Sequence, residues 1–185
     1  MCPIRGIDLD PEILEPTVWG MAAEGRPFKG VLYAGLMLTA SGPRALEFNC
    51  RFGDPETQVI LPLLASDPLD LFEAVVEGNL RSVQPTWRSE AACGLVLASA
   101  GYPGPFPVGR PIGGLDTLPA DALVFQGGTD RTAGRLVTAG GRVLTAVALG
   151  QDVAAARQAA YDLAARISFD GCYYRTDIAA DDENL

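Results

Sequence analysis

The 185-residue chain contains no histidine, which removes the Ser-His-Asp and Cys-His arrangements and the commonest metal ligand together. Any chemistry must rest on carboxylates, amides, guanidinium groups, backbone donors and bound cations. Cysteine is sparse: Cys2, Cys50, Cys93 and Cys172 stand far apart, with no close pair for a zinc site or a redox motif. They read as reduced thiols, mostly buried. No apolar run reaches the roughly 18 residues needed to span a bilayer. The amino terminus also lacks the basic-then-apolar layout of a secretory signal, so a cytoplasmic location is expected. Positive charge is short as well: 14 Lys and Arg stand against 23 Asp and Glu, a formal net charge of −9. Such a chain repels phosphate backbones and anionic lipid surfaces, so neither nucleic acid nor a membrane is an expected partner. Internal repeats and low-complexity tracts are missing too.

What is present is an ordinary globular composition, 48% hydrophobic and 20% charged, in a length that allows one large domain or two small ones. Residues 11 to 24 place Ile13, Leu14, Val18 and Met21 at helical spacing around Pro16, and Gly25 and Pro27 stop that helix. Two extended runs, GVLYAGLML and ALEFNCRF, flank the turn Ser41-Gly42-Pro43 and predict a β-hairpin. Asp54-Pro55-Glu56 carries a helix-start pattern: a capping oxygen, a proline that needs no donor, and an acid at the favourable end of the dipole. Asp67-Pro68 repeats the device, and Gly78 closes that helix.

Residues 79 to 90 lose the apolar periodicity, which places a domain boundary there, with domains over 1–84 and 85–185. Beyond it, short Val-, Leu- and Thr-rich segments separated by glycine and proline predict strands, with the tightest turn at Gly140-Gly141 between RLVTA and RVLTAVALG. One final helix carries Val153, Ala156, Ala160, Leu163 and Ile167 on a single stripe, with Asp152 as its N-cap, and packs on the preceding sheet. The acidic tail AADDENL is expected to fray. The fold class is α+β, mainly antiparallel in its second part.

The chemistry-bearing pattern is LEFNCRF. Side chains alternate along a strand, so Glu47, Asn49 and Arg51 share one face while Phe48, Cys50 and Phe52 form the other, apolar face. A carboxylate and an amide oxygen are hard ligands suited to Mg²⁺, and a guanidinium can clamp the phosphate oxygens that the cation bridges. The strand then runs into Gly53 and a helix amino terminus, where free N–H groups favour an anion. The same alternation also describes the wet face of an edge strand.

The stretch GVLYAGLMLTASGPRALEFNCRFGDPETQVILPLL resembles the signature segment of the phosphoribosylamine–glycine ligase family. So, in the same order, do AGYPGPFPVGRPIGGLDTLP, VFQGGTD, GRLVTAGGRVLTAVALG and FDGCYYRTDIA from that family's carboxy-terminal domain. The resemblance implies the carboxy-terminal half of an ATP-grasp domain over 1–84, followed by the family's small, mainly antiparallel β domain over 85–185. It implies Glu47 and Asn49 as ligands of Mg²⁺ or Mn²⁺, and Arg51 as the catalytic arginine steadying the transferring phosphate. It implies Asp54, Glu56 and Thr57 as the lining of a glycine and acyl-phosphate site, although Asp54 reads equally as a helix cap. Thr129 and Arg142 become candidates for ligand contact, while Arg142 also reads as a solvated turn residue. Gln126 stands where the family has a histidine.

The implied reaction joins glycine to phosphoribosylamine with ATP as co-substrate, through transfer of the γ-phosphoryl group to the glycine carboxylate. Positioning and charge neutralisation do most of that work, and histidine is not required. The resemblance begins inside the ATP-grasp fold, without the glycine-rich loop, the lysines that grip ATP or the amino-terminal substrate domain. The expectation is a chain inactive alone, completed by that missing amino-terminal portion or a complementary chain. The other reading is a non-catalytic remnant or interaction module.

Overall fold

The computed structural model describes residues 10–180. By contacts they divide into two compact units, one holding residues 10–57 and 64–87, the other holding 58–63 and 88–180.

In the first unit a wide helical turn over Asp10–Leu14 leads into α1 (Glu15–Ala23). Pro16 occupies its first turn, where a missing N–H costs nothing, and Gly25 follows with φ +74°. Strands β1 (Tyr33–Thr39) and β2 (Gly42–Asn49) form the expected antiparallel hairpin, interrupted by a bulge at Gly35/Leu36. Helix α2 (Glu56–Ile60) begins in this unit just after a turn at Asp54-Pro55, whose peptide bond is cis, and its residues from Gln58 onward belong to the second unit. Helix α3 (Pro68–Glu77) is capped as its sequence dictates. The Asp67 side chain accepts from the Leu69 N–H at 2.9 Å, and Gly78 ends the helix in the left-handed region at φ +76°. Beyond it, an antiparallel bridge joins Leu64 to Trp87.

This unit buries little of its own apolar surface. Ala74 is its one buried apolar residue among those described. The α3 positions Leu69, Phe72 and Val76, spaced as one helical stripe, are 56%, 42% and 83% exposed. The hairpin shows the same thing. Phe48, expected on an apolar inner face, is 42% exposed and its neighbour Leu46 65%. Two strands alone offer no second layer for such a face to pack against. Cys50 is exposed rather than buried, because β2 ends at Asn49 and the residue falls in a bend.

The second unit owns the core. Strands β3 (Ala91–Ala98), β4 (Leu123–Gln126) and β7 (Arg142–Gly150) form an antiparallel sheet in the order β3-β7-β4. Helix α4 (Val153–Ala164) packs on it, burying Ala156, Ala160 and Leu163 against Cys93, Leu95, Leu97, Val143 and Ala146. Each fully buried leucine contributes about 1.5–3 kcal/mol. Asp152 caps α4 by accepting from the Ala155 N–H at 2.8 Å. Strands β5 (Thr129–Thr132) and β6 (Arg135–Thr138) make a separate hairpin.

Gly140-Gly141 therefore does not close a hairpin, as its sequence suggests, but carries the chain from one sheet to another. The other side of β6 is already taken by residues 109–112: Gly109 donates to the Thr138 carbonyl at 2.6 Å and Ile112 to that of Leu136 at 3.0 Å. The chain must leave for the central strand of the neighbouring sheet. Cys93 is buried and Cys172 half-buried, while Cys2 and most of the acidic tail lie outside the described residues.

Candidate active site

The hairpin places Glu47 opposite Gly35 and Asn49 opposite Tyr33. Being two residues apart, Glu47 and Asn49 project to the same side, and the Asn49 amide Nδ2 donates to Glu47 Oε1 at 3.0 Å. That bond leaves the second carboxylate oxygen and the amide oxygen uncommitted. Gly35 is what lets Glu47 lie across the hairpin, since a Cβ there would stand 3.1 Å from the Glu47 Cγ. Among the described residues no group of three or more acidic, cysteine or histidine side chains gathers around a common point. The donor set is one acid and one amide.

Arg51 departs from the strand reading. It lies two residues beyond the end of β2, where alternation no longer orients side chains, and its Nη1 donates to the Phe52 carbonyl at 2.9 Å. It is exposed and does not join the Glu47–Asn49 pair.

The segment after the hairpin is built around Gly53, a buried residue. Thr57 donates to its carbonyl from the backbone at 3.1 Å and also from the hydroxyl. The carboxylate of Glu56 leans on Gly53 so closely that a Cβ there would meet Oε2 at 2.1 Å. The other oxygen of Glu56, Oε1, accepts a hydrogen bond from the phenol of Tyr33 at 3.1 Å. Burial, followed by the negative charge of Glu56 and its hydrogen bond and then that of Glu47, raises the Tyr33 hydroxyl above its usual pKa. Asp54 is exposed in the turn that precedes α2. Glu47, Asn49, Tyr33 and Glu56 thus belong to one neighbourhood. Tyr33 was not among the sequence candidates. Its one signal was a lone phenol in the apolar run GVLYAGLML.

The second-unit candidates occupy paired glycine turns. The Gly127 and Gly128 amides donate to the carbonyls of Val143 and Arg142 at 3.0 and 2.8 Å, and Ala139 donates to Gly128 at 2.7 Å. A Cβ on Gly128 would stand 2.6 Å from the Gly140 Cα, so close backbone approach accounts for these glycines. Thr129 donates through its hydroxyl to Gln126 Oε1 at 2.9 Å. Arg142 is exposed at the start of β7. The two turns bring the backbones of residues 127–129 and 140–142 side by side.

The sequence matches the family model for the phosphoribosylglycinamide synthetase ATP-grasp (A) domain over residues 7–57 and that for its C domain over residues 92–181. A phosphoribosylamine–glycine ligase from Caldanaerobacter subterraneus subsp. tengcongensis is 49% identical over 94% of this chain and 41% of its own length. One from Pseudomonas aeruginosa is 50% identical over 90% of the chain and 39% of its own. The trifunctional purine biosynthetic protein adenosine-3 of Gallus gallus is 51% identical over 90% of the chain, which covers 17% of it. The crystal structure of phosphoribosylamine–glycine ligase from Thermotoga maritima superposes with a TM-score of 0.77 at 39% identity, covering 96% of this chain and 45% of that one. The chain spans about two fifths of the length of the single-function relatives. With both family models matched and the same enzyme returned by sequence and by fold, the chain belongs to the phosphoribosylglycinamide synthetase family, of which it carries the C domain and part of the ATP-grasp domain.

Proposed function

We propose that this chain is part of a phosphoribosylamine–glycine ligase, the enzyme that joins glycine to 5-phosphoribosylamine with ATP to give glycinamide ribonucleotide, ADP and phosphate. Residues 1–84 are the carboxy-terminal portion of the ATP-grasp domain, and 85–185 are the carboxy-terminal domain. The observation that carries the reading is the shared neighbourhood of Glu47, Asn49, Tyr33 and Glu56 at the end of one hairpin.

The donor set fits a small divalent cation. Mg²⁺ or Mn²⁺ accepts hard oxygen ligands and is commonly held by one or two protein groups while substrate phosphates and waters supply the rest. The Glu47 carboxylate and the Asn49 amide oxygen would hold it. When bound, such an ion neutralises charge on the phosphate oxygens during transfer. Arg51, exposed beside the strand end, would steady the phosphoryl group after exchanging its bond to the Phe52 carbonyl for a charged acceptor. Asp54, Glu56 and Thr57 line the glycine side, and Thr129 and Arg142 are separate candidates for ligand contact within the carboxy-terminal domain.

Turnover is expected to require the rest of the enzyme, since the chain spans about two fifths of the ligases it resembles. The test is to supply the remaining portion of a relative as a second polypeptide and follow glycinamide ribonucleotide. Product that requires both polypeptides, glycine and phosphoribosylamine supports the reading. A folded, associated pair that makes none refutes it.

A further inference from the structure

Glu56 opens α2, where an acid ordinarily turns toward the free N–H groups of its own first turn. Its Oε1 instead accepts from Tyr33, a residue 23 positions earlier. Its Oε2 lies close to Gly53, where a side chain would leave it no room, so the Tyr33 bond is the one that aims the carboxylate. The two donors that orient the acids here are both neutral: the Tyr33 phenol for Glu56 and the Asn49 amide for Glu47. A guanidinium or an ammonium would have aligned these carboxylates equally well and cancelled their charge. A hydroxyl fixes direction and leaves the full negative charge available, in a half-buried setting where that charge acts more strongly than in bulk water.

We infer that Tyr33 is a positioning residue of the proposed ligase site, orienting the Glu56 carboxylate so that it receives the ammonium group of the amino-acid substrate. The inference rests on the ligase reading. Glycine arrives as a zwitterion: its carboxylate must face the phosphoryl donor, and its cationic end then needs an oriented acid. Glu56, fixed but not neutralised, is such an acid.

The experiment uses the enzyme assembled from this chain and the remaining portion of a relative, with glycine and ATP varied separately. Tyr33→Phe keeps the ring and removes one hydrogen bond to a charged group, so KM for glycine is expected to rise about tenfold. The effect falls on KM for glycine and spares KM for ATP, a split that a purely structural role would not give. Glu56→Gln probes the same bond from the other side and raises KM for glycine at least as far. The double variant is no worse than Glu56→Gln alone, because the phenol acts only through that acid. A glycine KM within twofold of the parent in Tyr33→Phe, an equal rise in KM for ATP, or additive effects in the double variant overturns the inference. An inactive parent assembly removes the ligase reading and this inference with it; an active parent with an unmoved glycine KM removes this inference alone.

Discussion

The Asn49 amide donates to Glu47 Oε1 across 3.0 Å, and both residues stand opposite β1 positions, Tyr33 and Gly35, that make the arrangement possible. The amide fixes one carboxylate oxygen and leaves the other open to a cation. The glycine gives the acid's stem room to lie flat across the hairpin.

Gly35→Ala tests that support. The new Cβ, 3.1 Å from the Glu47 Cγ, must displace the acid by a few tenths of an ångström. Supporting contacts of metal ligands are worth about 10–100-fold in affinity. We expect Mn²⁺ affinity of the assembled enzyme, followed by electron paramagnetic resonance, to drop toward the lower end of that range. Affinity equal to the parent's would show that Glu47 is not held by this contact.

The second unit should be intolerant at Gly114. Its φ is +88°, and a Cβ there would stand 1.9 Å from the Arg166 carbonyl oxygen, beside the paired bonds of Gly113 and Ser168. Gly114→Ala is expected to cost about 2 kcal/mol or more, through strain at positive φ and displaced backbone. Denaturant unfolding would measure it, and a midpoint unchanged from the parent would contradict the packing described here.

Thiol labelling should separate the described cysteines. Exposed Cys50 is expected to react first with iodoacetamide, Cys172 more slowly because burial raises its pKa, and Cys93 only on unfolding. Mass spectrometry of a time course gives the order. Early modification of Cys93 would be inconsistent with its buried place on β3 in the core shared with α4.

Alkaline pH should weaken the Tyr33 contact. Burial, Glu56 and Glu47 all favour the neutral phenol in the folded state, so its folded pKa lies above its unfolded value of about 10. Its contribution is complete below that unfolded value and disappears as pH rises through the raised folded pKa. Stability should decline there in the parent and more gently in Tyr33→Phe. Identical alkaline profiles would contradict the contact.

The open stripe Leu69, Phe72 and Val76 on α3, together with Leu46 and Phe48 on the hairpin, predicts that the isolated chain binds hydrophobic dyes or associates as concentration rises. Sedimentation and dye fluorescence would reveal either. A monomeric, dye-silent chain would contradict it.

The elements that the sequence displayed plainly were those whose signals are local. Asp67-Pro68 and Gly78 place cap, body and stop within a few residues of each other, and Asp152 caps the stripe that begins at Val153; both helices form, the second ending at Ala164 so that Ile167 lies beyond it. The hairpin was legible for the same reason. What the sequence did not display depends on partners far along the chain. β2 ends at Asn49 rather than continuing through Phe52, so period-two alternation overextended the chemical face to Arg51. Gly140-Gly141 looked like a hairpin turn because its flanks are strand-like, yet residues 109–112 had already claimed the edge of β6. The bond from Tyr33 to Glu56 joins residues that no periodicity connects. That Glu47 and Asn49 share one face was readable from their spacing, which equally described the wet face of an edge strand; only the family resemblance marked them as cation ligands.

The most direct measurement is glycine-dependent formation of glycinamide ribonucleotide by the assembled enzyme carrying Glu47→Gln, beside the parent assembly. Glutamine keeps the size and removes the charge that would bind the cation, so turnover at fixed Mg²⁺ should fall by about 100-fold or more while thermal stability stays near the parent's. Full turnover in Glu47→Gln would contradict the placement of the ligase's metal at the end of this hairpin.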